Sequence, residues 1–248
     1  MAKMSRPMQT MSLANKIYDN LLAIRQEIPS TVSLIAVSKY ATELEINYAY
    51  QAGQRDFGES RVLDLARKAT YFADKEDIRW HFIGHLQSNK INNLLKIKNL
   101  AMIHSIDSFK QLEMLLGKAA SFDGKALAYF LQANTSEEKE KFGMDSLNEI
   151  FQCVKLAQEY ASAGHRKFHL TGLMTIGKIR TDDFVKDANS SFAQLVAIRQ
   201  QIQMRARQEL GVDISLKLSM GMSNDYKIAI AHGSDYLRVG SAIFESNA

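Results

Sequence analysis

Three short stretches hold the residues of this chain that could do chemistry. The first is Ser33-Leu34-Ile35-Ala36-Val37-Ser38-Lys39, an apolar run of strand character that ends on a lysine. The others are Ser219-Met220-Gly221-Met222-Ser223-Asn224-Asp225 and Arg238-Val239-Gly240-Ser241, each placed just after a short apolar segment. Burial of an amine penalises its charged form, and the neutral amine is the nucleophile that condenses with a carbonyl. The plain alternative is that Lys39 tips its strand and points into water, as most lysines do. Small and hydroxyl residues ahead of a helix leave backbone N–H groups to hold an anion, although the same residues also serve as ordinary helix caps.

Bringing these stretches together requires a scaffold that gathers strand ends on one face. Met11, Ile17, Leu21, Leu22 and Ile24 recur near helical spacing, so a helix over 8–27 precedes the first strand, with Pro29 closing it. After a strand over 32–39, Thr42-Glu43-Leu44-Glu45 has the form of a capping box and opens a helix that Gly53 stops. Ser108-Phe109-Lys110-Gln111 and Ser146-Leu147-Asn148-Glu149 repeat that form at two later helix starts. Strands are expected at 55–57, 79–83, 101–105, 125–132, 169–174, 215–218 and 236–239, with helices between them at 60–72, 89–97, 108–120, 146–161, 182–210 and 225–231.

About eight strands alternating with helices imply parallel pairing with right-handed crossovers. At 248 residues the expected fold is α/β, a single-domain (β/α)8 TIM barrel with an extra N-terminal helix. An open doubly wound sheet uses the same units, but no Gly-x-Gly-x-x-Gly turn follows the first strand. Proline occurs only at Pro7 and Pro29 and no Gly/Ser-rich linker interrupts the chain, so one domain over 1–248 is expected, with a loose start over 1–8. Barrel closure then places Lys39 beside the loops after the seventh and eighth strands, where barrels favour phosphate.

The 31 basic and 27 acidic residues are scattered in both signs, with no Lys/Arg block and no aromatic-basic ladder, which argues against nucleic acid as a partner. No run approaches the ~18 apolar residues of a membrane span, and the start lacks a signal-like apolar segment. Cys153 is the lone cysteine, within a stretch of helical spacing; it is expected to be a core thiol in a reducing compartment, and the protein cytoplasmic. His81 and His85 stand four apart, but Gly84 and the strand pattern around them argue against one helical face and a metal site. Trp80, Phe82 and Ile83 read as barrel packing.

Ala36-Val37-Ser38-Lys39, Phe57-Gly58-Glu59, the run from Trp80 to Lys90, Leu173-Met174-Thr175-Ile176, Leu218-Ser219-Met220-Gly221-Met222-Ser223 and Arg238-Val239-Gly240-Ser241-Ala242-Ile243-Phe244 occur in that order. Together they resemble the pyridoxal phosphate homeostasis protein family. The resemblance implies a barrel similar to the N-terminal domain of alanine racemase, with pyridoxal 5'-phosphate as a Schiff base on Lys39. It further implies Ser223, Gly240 and Ser241 at the phosphate, Met222 in the same cofactor-binding set and Arg238 near the pyridine nitrogen. The chain departs from the family at Ser60, where Asn is usual, and at Gly177-Lys178, where Ala-Pro is common. Glu59 and Ser60 read either as a helix cap or as contacts to the ring.

The implied role is a carrier without catalytic turnover, with pyridoxal phosphate-dependent apoenzymes as its expected partners; a monomer is expected because few contacts are needed to close a barrel. Nine residues follow Val239, too few for a second domain to supply an opposing base at an amino-acid α-carbon. The alternatives are a single-domain pyridoxal phosphate-dependent amino acid racemase and a cofactor-free Schiff-base aldolase acting through Lys39.

Overall fold

Short strands alternating with helices leave only parallel pairing open to the chain, and a parallel sheet must cover both faces. The computed structural model describes residues 6–136, 142–178 and 181–245. Of the loose start expected over 1–8, residues 1–5 lie outside the described residues, and helix α1 (Arg6–Glu27) begins at Arg6. Strands β1 (Ser33–Val37), β2 (Asp56–Glu59), β3 (Arg79–Phe82), β4 (Leu100–Ile106), β5 (Leu127–Gln132), β6 (Phe168–Met174), β7 (Lys217–Ser219) and β8 (Tyr236–Val239) pair in sequence order into a closed parallel barrel. Closure runs from Ser33 opposite Tyr236 to Ala36 opposite Val239.

The outer layer comprises α2 (Glu43–Gln51), α3 (Val62–Tyr71), α4 (Ile91–Leu95), α5 (Phe109–Leu116), α6 (Leu147–Ser162), α7 (Phe184–Arg205), α8 (Tyr226–Ala231) and α9 (Ser241–Phe244). The extra helix α1 buries Ile17, Leu21 and Ile24, while Leu22 faces water instead of the core. Asn20 Nδ2 donates to the Ile243 carbonyl at 3.0 Å and ties α1 to α9.

Thr42 starts α2 with both halves of a capping box. Its N–H and hydroxyl donate to Glu45 at 2.7 Å, and Glu45 N donates back to Thr42 Oγ1 at 3.3 Å. Ser108 and Ser146 complete only one half, accepting from Gln111 N at 3.3 Å and Glu149 N at 3.4 Å. The returning side chains bind elsewhere: the Gln111 amide donates to Leu86 O at 2.7 Å, and Glu149 accepts from Phe109 N at 3.1 Å. The helix expected over 182–210 is α-helical only to Arg205, widens to a π turn over Ala206–Leu210 and ends at Gly211 in the left-handed region.

Because strand side chains alternate, Trp80 and Phe82 face the helices. Trp80 packs near Phe57 and Phe72, with ring centroids 5.9 and 6.3 Å away. Each fully buried Leu, Ile or Phe in that layer contributes about 1.5–3 kcal/mol. The barrel interior is a separate, smaller apolar group of Met102, Ala128, Phe130 and Met174. Cys153 in α6 is buried with Sγ 3.7 Å from Met144 Sδ, and burial, with Glu149 nearby, pushes its thiol up to about 12.

Candidate functional site

Strand β1 ends at Val37, and Lys39 follows in a turn with its side chain exposed. This corrects the expectation that the lysine ends a buried strand: the amine is not taken out of water here. The residue before it is firmly held. Ser38 is buried, its hydroxyl donates to Glu59 Oε1 at 2.6 Å and its carbonyl accepts from Lys68 Nζ at 2.7 Å. Lys68 Nζ also donates to Glu59 Oε1 at 2.8 Å, an ion pair with side chains 2% and 1% exposed. Glu59 therefore caps no helix, since the N-cap position of α3 is Arg61 and has no side-chain cap bond.

Across the barrel closure, Gly221 turns the chain after β7. Its φ is +97°, and a Cβ there would stand 2.6 Å from Ala229 Cβ and 2.9 Å from Leu237 Cδ2, so only glycine fits. Its carbonyl accepts from Arg238 N at 2.9 Å, which joins this loop to β8. Asp225 Oδ1 accepts from Met222 N at 2.5 Å and closes the loop ahead of α8. Burial pushes the Asp225 carboxyl up, opposed by the Met222 N–H and by Arg238.

Ser223 Oγ accepts from Gly240 N and from Ala242 N, both at 3.2 Å. Its hydroxyl keeps its own proton for a further acceptor. Gly240 lies so close to the end of β1 that a Cβ would be 3.0 Å from the Val37 carbonyl oxygen. Arg238 is buried, with Nη1 donating to Ser219 Oγ at 2.6 Å and Nη2 to Thr175 O at 2.8 Å. Burial brings the guanidinium down to about 10, and Asp225 acts in the opposite direction.

Lys39, Met222, Ser223, Arg238, Gly240 and Ser241 line one cavity of about 510 Å³ at the C-terminal end of the barrel. Ser60 and Ile83 also line it, so Ile83 borders the site while Trp80 and Phe82 pack the core. Sequence reasoning passed over Tyr40, Glu45 and Phe184 as site residues, and these also line the wall, as do Lys178, met in the sequence only as a departure from the family, and Asp225, the last residue of the stretch over 219–225. Glu45 was legible only as a cap, and Asp225 only as the end of the loop that leads from the seventh strand into a helix. Phe184 comes from the distant start of α7, which no local pattern aims at the site.

His81 and His85 take different surroundings. His81 bonds to Asp56 and His104 inside the barrel, whereas His85 bonds to Asp107 at 2.9 Å and stacks on Phe142 with centroids 3.8 Å apart. Among the described residues no group of three or more His, Cys, Asp or Glu side chains is arranged to hold a metal.

A closed parallel barrel with a lysine-bearing cavity at its C-terminal rim defines the class of protein: residues 14–248 match the family of the alanine racemase N-terminal domain. A structure of alanine racemase from E. faecalis shares that fold with a TM-score of 0.68 at 14% identity, over 94% of this chain and 58% of the racemase chain. Within the class, the chain belongs to the pyridoxal phosphate homeostasis protein family. It is 38% identical over 235 residues to the pyridoxal phosphate homeostasis protein of Schizosaccharomyces pombe, covering 93% of this chain and 92% of that one. PipY of Synechococcus elongatus, solved with PLP bound, is 32% identical with a TM-score of 0.78 over 92% of this chain and 99% of its own.

Proposed function

We propose that this chain holds pyridoxal 5'-phosphate as a Schiff base on Lys39 and serves intracellular pyridoxal phosphate homeostasis without catalytic turnover. One observation carries the reading: a lysine, a serine that has accepted two backbone N–H bonds, a loop glycine and serine, and a buried arginine line a single cavity of about 510 Å³. That volume lies within the range of about 300–1,000 Å³ usual for small-molecule sites. Membership in the family, and the bound PLP of PipY, support the choice of ligand.

Pyridoxal phosphate supplies an aldehyde and, in its enzymes, an electron sink for charge at an amino-acid α-carbon. Lys39, exposed in its turn, offers its amine to that aldehyde. Ser223, Gly240 and Ser241 hold the phosphate, with Met222 beside them. Arg238 faces the pyridine nitrogen as a donor. A guanidinium lowered only to about 10 remains protonated near neutrality, so it has no lone pair to take a ring proton and keeps that nitrogen an acceptor. The group is then a weak electron sink, which favours carriage over turnover.

Two results test this. Ser241→Ala is expected to weaken retention roughly tenfold or more, the value of about 1.5–3 kcal/mol for a hydrogen bond to a charged group, while the reducible adduct still forms. An absorbance titration reads the affinity, and a parent-like value would remove Ser241 from the phosphate set. Loaded protein incubated with L-alanine in deuterated water is expected to leave the amino acid unlabelled. Steady α-deuteration or appearance of the D-isomer would instead establish the racemase alternative.

The carrier is read as a monomer, because β1 pairs with β8 and the closed barrel leaves no sheet edge to extend. Pyridoxal phosphate-dependent apoenzymes are the proposed recipients, and the cytoplasm the proposed setting. The free, buried Cys153 is consistent with that compartment, and among the described residues no helix is long and apolar enough to cross a membrane.

A further inference from the structure

The barrel interior contains a column of polar side chains that runs inward from Arg238 and that, beyond Arg238, the proposed binding does not use. From the rim inward, Arg238 Nη1 bonds to Ser219 Oγ at 2.6 Å, and Ser219 Oγ bonds to His104 Nδ1 at 2.9 Å. His104 Nε2 then meets His81 Nδ1 at 3.0 Å, and His81 Nε2 meets Asp56 Oδ1 at 2.9 Å. The column crosses from β8 through β7, β4 and β3 to β2. It ends beside a second cavity of about 270 Å³ at the opposite end of the barrel, lined by Asp56 and Arg79. Arg238, Ser219, His104 and His81 are all buried, and Phe130 stacks on His104 with centroids 4.9 Å apart.

Proton accounting gives the column a direction. Arg238 can only donate, so Ser219 Oγ accepts from it and its own proton needs an acceptor. Among the described residues that acceptor is His104 Nδ1. His104 then carries its proton on Nε2 and donates to His81 Nδ1, and His81 donates from Nε2 to the Asp56 carboxylate. The reverse direction would leave the buried Ser219 proton without an acceptor, at a cost of about 1–3 kcal/mol. Burial, with the Arg238 guanidinium nearby, holds His104 well below the ordinary histidine value, consistent with a neutral ring. Burial pushes the Asp56 carboxyl up, but hydrogen bonds from His81 and Arg79 outweigh it and bring it down to about 2.

We infer that Ser219, His104 and His81 are positioning residues for Arg238: a one-way hydrogen-bond relay that carries the influence of the Asp56 carboxylate to a guanidinium that, among the described residues, has no carboxylate in hydrogen-bond contact. A buried charge ordinarily needs a bonded counter-ion. The bonded acceptors of Arg238 are instead a hydroxyl and a carbonyl, and Asp225, the nearby carboxylate, bonds to Met222 N. Aligned donors polarise one another, so the Ser219 oxygen becomes a stronger acceptor than an isolated hydroxyl. The guanidinium is thus seated while other N–H groups remain for the ring nitrogen. This role rests on the proposed placement of Arg238 at the cofactor.

The test uses ¹⁵N-histidine-labelled protein without ligand, read by long-range ¹H–¹⁵N spectra near neutral pH. His81 and His104 are expected to be neutral Nε2–H tautomers. An Nδ1–H tautomer or an imidazolium at either position overturns the relay. In loaded protein, Ser219→Ala and His104→Phe are expected to keep the adduct on Lys39 but shift the imine absorbance band and weaken retention roughly tenfold. His104→Gln, which can accept and donate, is expected to restore both. A parent-like band in Ser219→Ala overturns the positioning role even if the tautomers are as stated. The expected tautomers in a parent that forms no adduct would overturn the binding reading, and with it the role assigned to the relay.

Discussion

Replacing Lys39 with alanine is expected to abolish the borohydride-stable adduct with pyridoxal phosphate. The parent, mixed with the cofactor, reduced and digested, should yield one modified peptide containing residue 39. The variant should yield none, and its imine absorbance should fall to background. Structural failure is not expected to confuse this result: the Lys39 side chain is exposed, and its ammonium stands over the Tyr40 ring, 5.0 Å from the centroid. Exposed substitutions of this kind usually cost within about 0.5 kcal/mol. The cavity contains a second lysine, Lys178, with Nζ 3.6 Å from Asp187 Oδ1, which makes Lys178→Ala the natural control. That control should retain the adduct. An undiminished adduct mass in Lys39→Ala, or its loss in Lys178→Ala alone, would reassign the imine.

The second large effect lies beneath that lysine. Lys68→Met is expected to destabilise the fold by about 3–5 kcal/mol, because it strands the buried Glu59 carboxylate. Among the described residues Glu59 Oε2 already has no hydrogen-bond partner, so losing Lys68 would leave the Ser38 hydroxyl as the remaining donor to the group. The Ser38 carbonyl loses a donor in the same substitution. Glu59→Gln combined with Lys68→Met removes both charges and should recover much of the loss, so the two substitutions are not additive. Urea unfolding midpoints of the parent, both single variants and the double variant measure the coupling. A Lys68→Met midpoint near that of the parent, or a double variant no better than the single, would show that the pair contributes little.

Local patterns in the sequence were enough to place the elements. The Thr42 capping box and the periodic apolar positions of Ile17, Leu21 and Ile24 depend only on neighbours a few residues away, and the structure keeps both. Features that depend on tertiary partners were harder to read. Gln111 and Glu149 look like returning halves of capping boxes, but each finds a better partner on another segment once the barrel closes. Lys39 looked buried because an apolar run precedes it, yet β1 stops two residues earlier and the chain turns outward. The interior column was present in the sequence only as single polar residues within apolar strands, such as His104 between Met102 and Ile106, but an isolated histidine in a strand gives no sign of which distant hydroxyl will meet it. Of the cavity-wall residues drawn from α2 and α7, Glu45 was marked only as a cap and Phe184 had no local mark of any kind.

The depth of Cys153 has a practical consequence. As the chain's only cysteine, buried in α6 with burial raising its thiol to about 12, it is expected to stay unreactive towards alkylating dyes at neutral pH. The parent is therefore already a blank background for single-site attachment. A cysteine introduced at Tyr40, whose side chain stands exposed at the mouth of the cavity, would give the molecule one addressable position. A fluorophore there would watch ligand enter and leave in real time without a native cysteine having to be removed first.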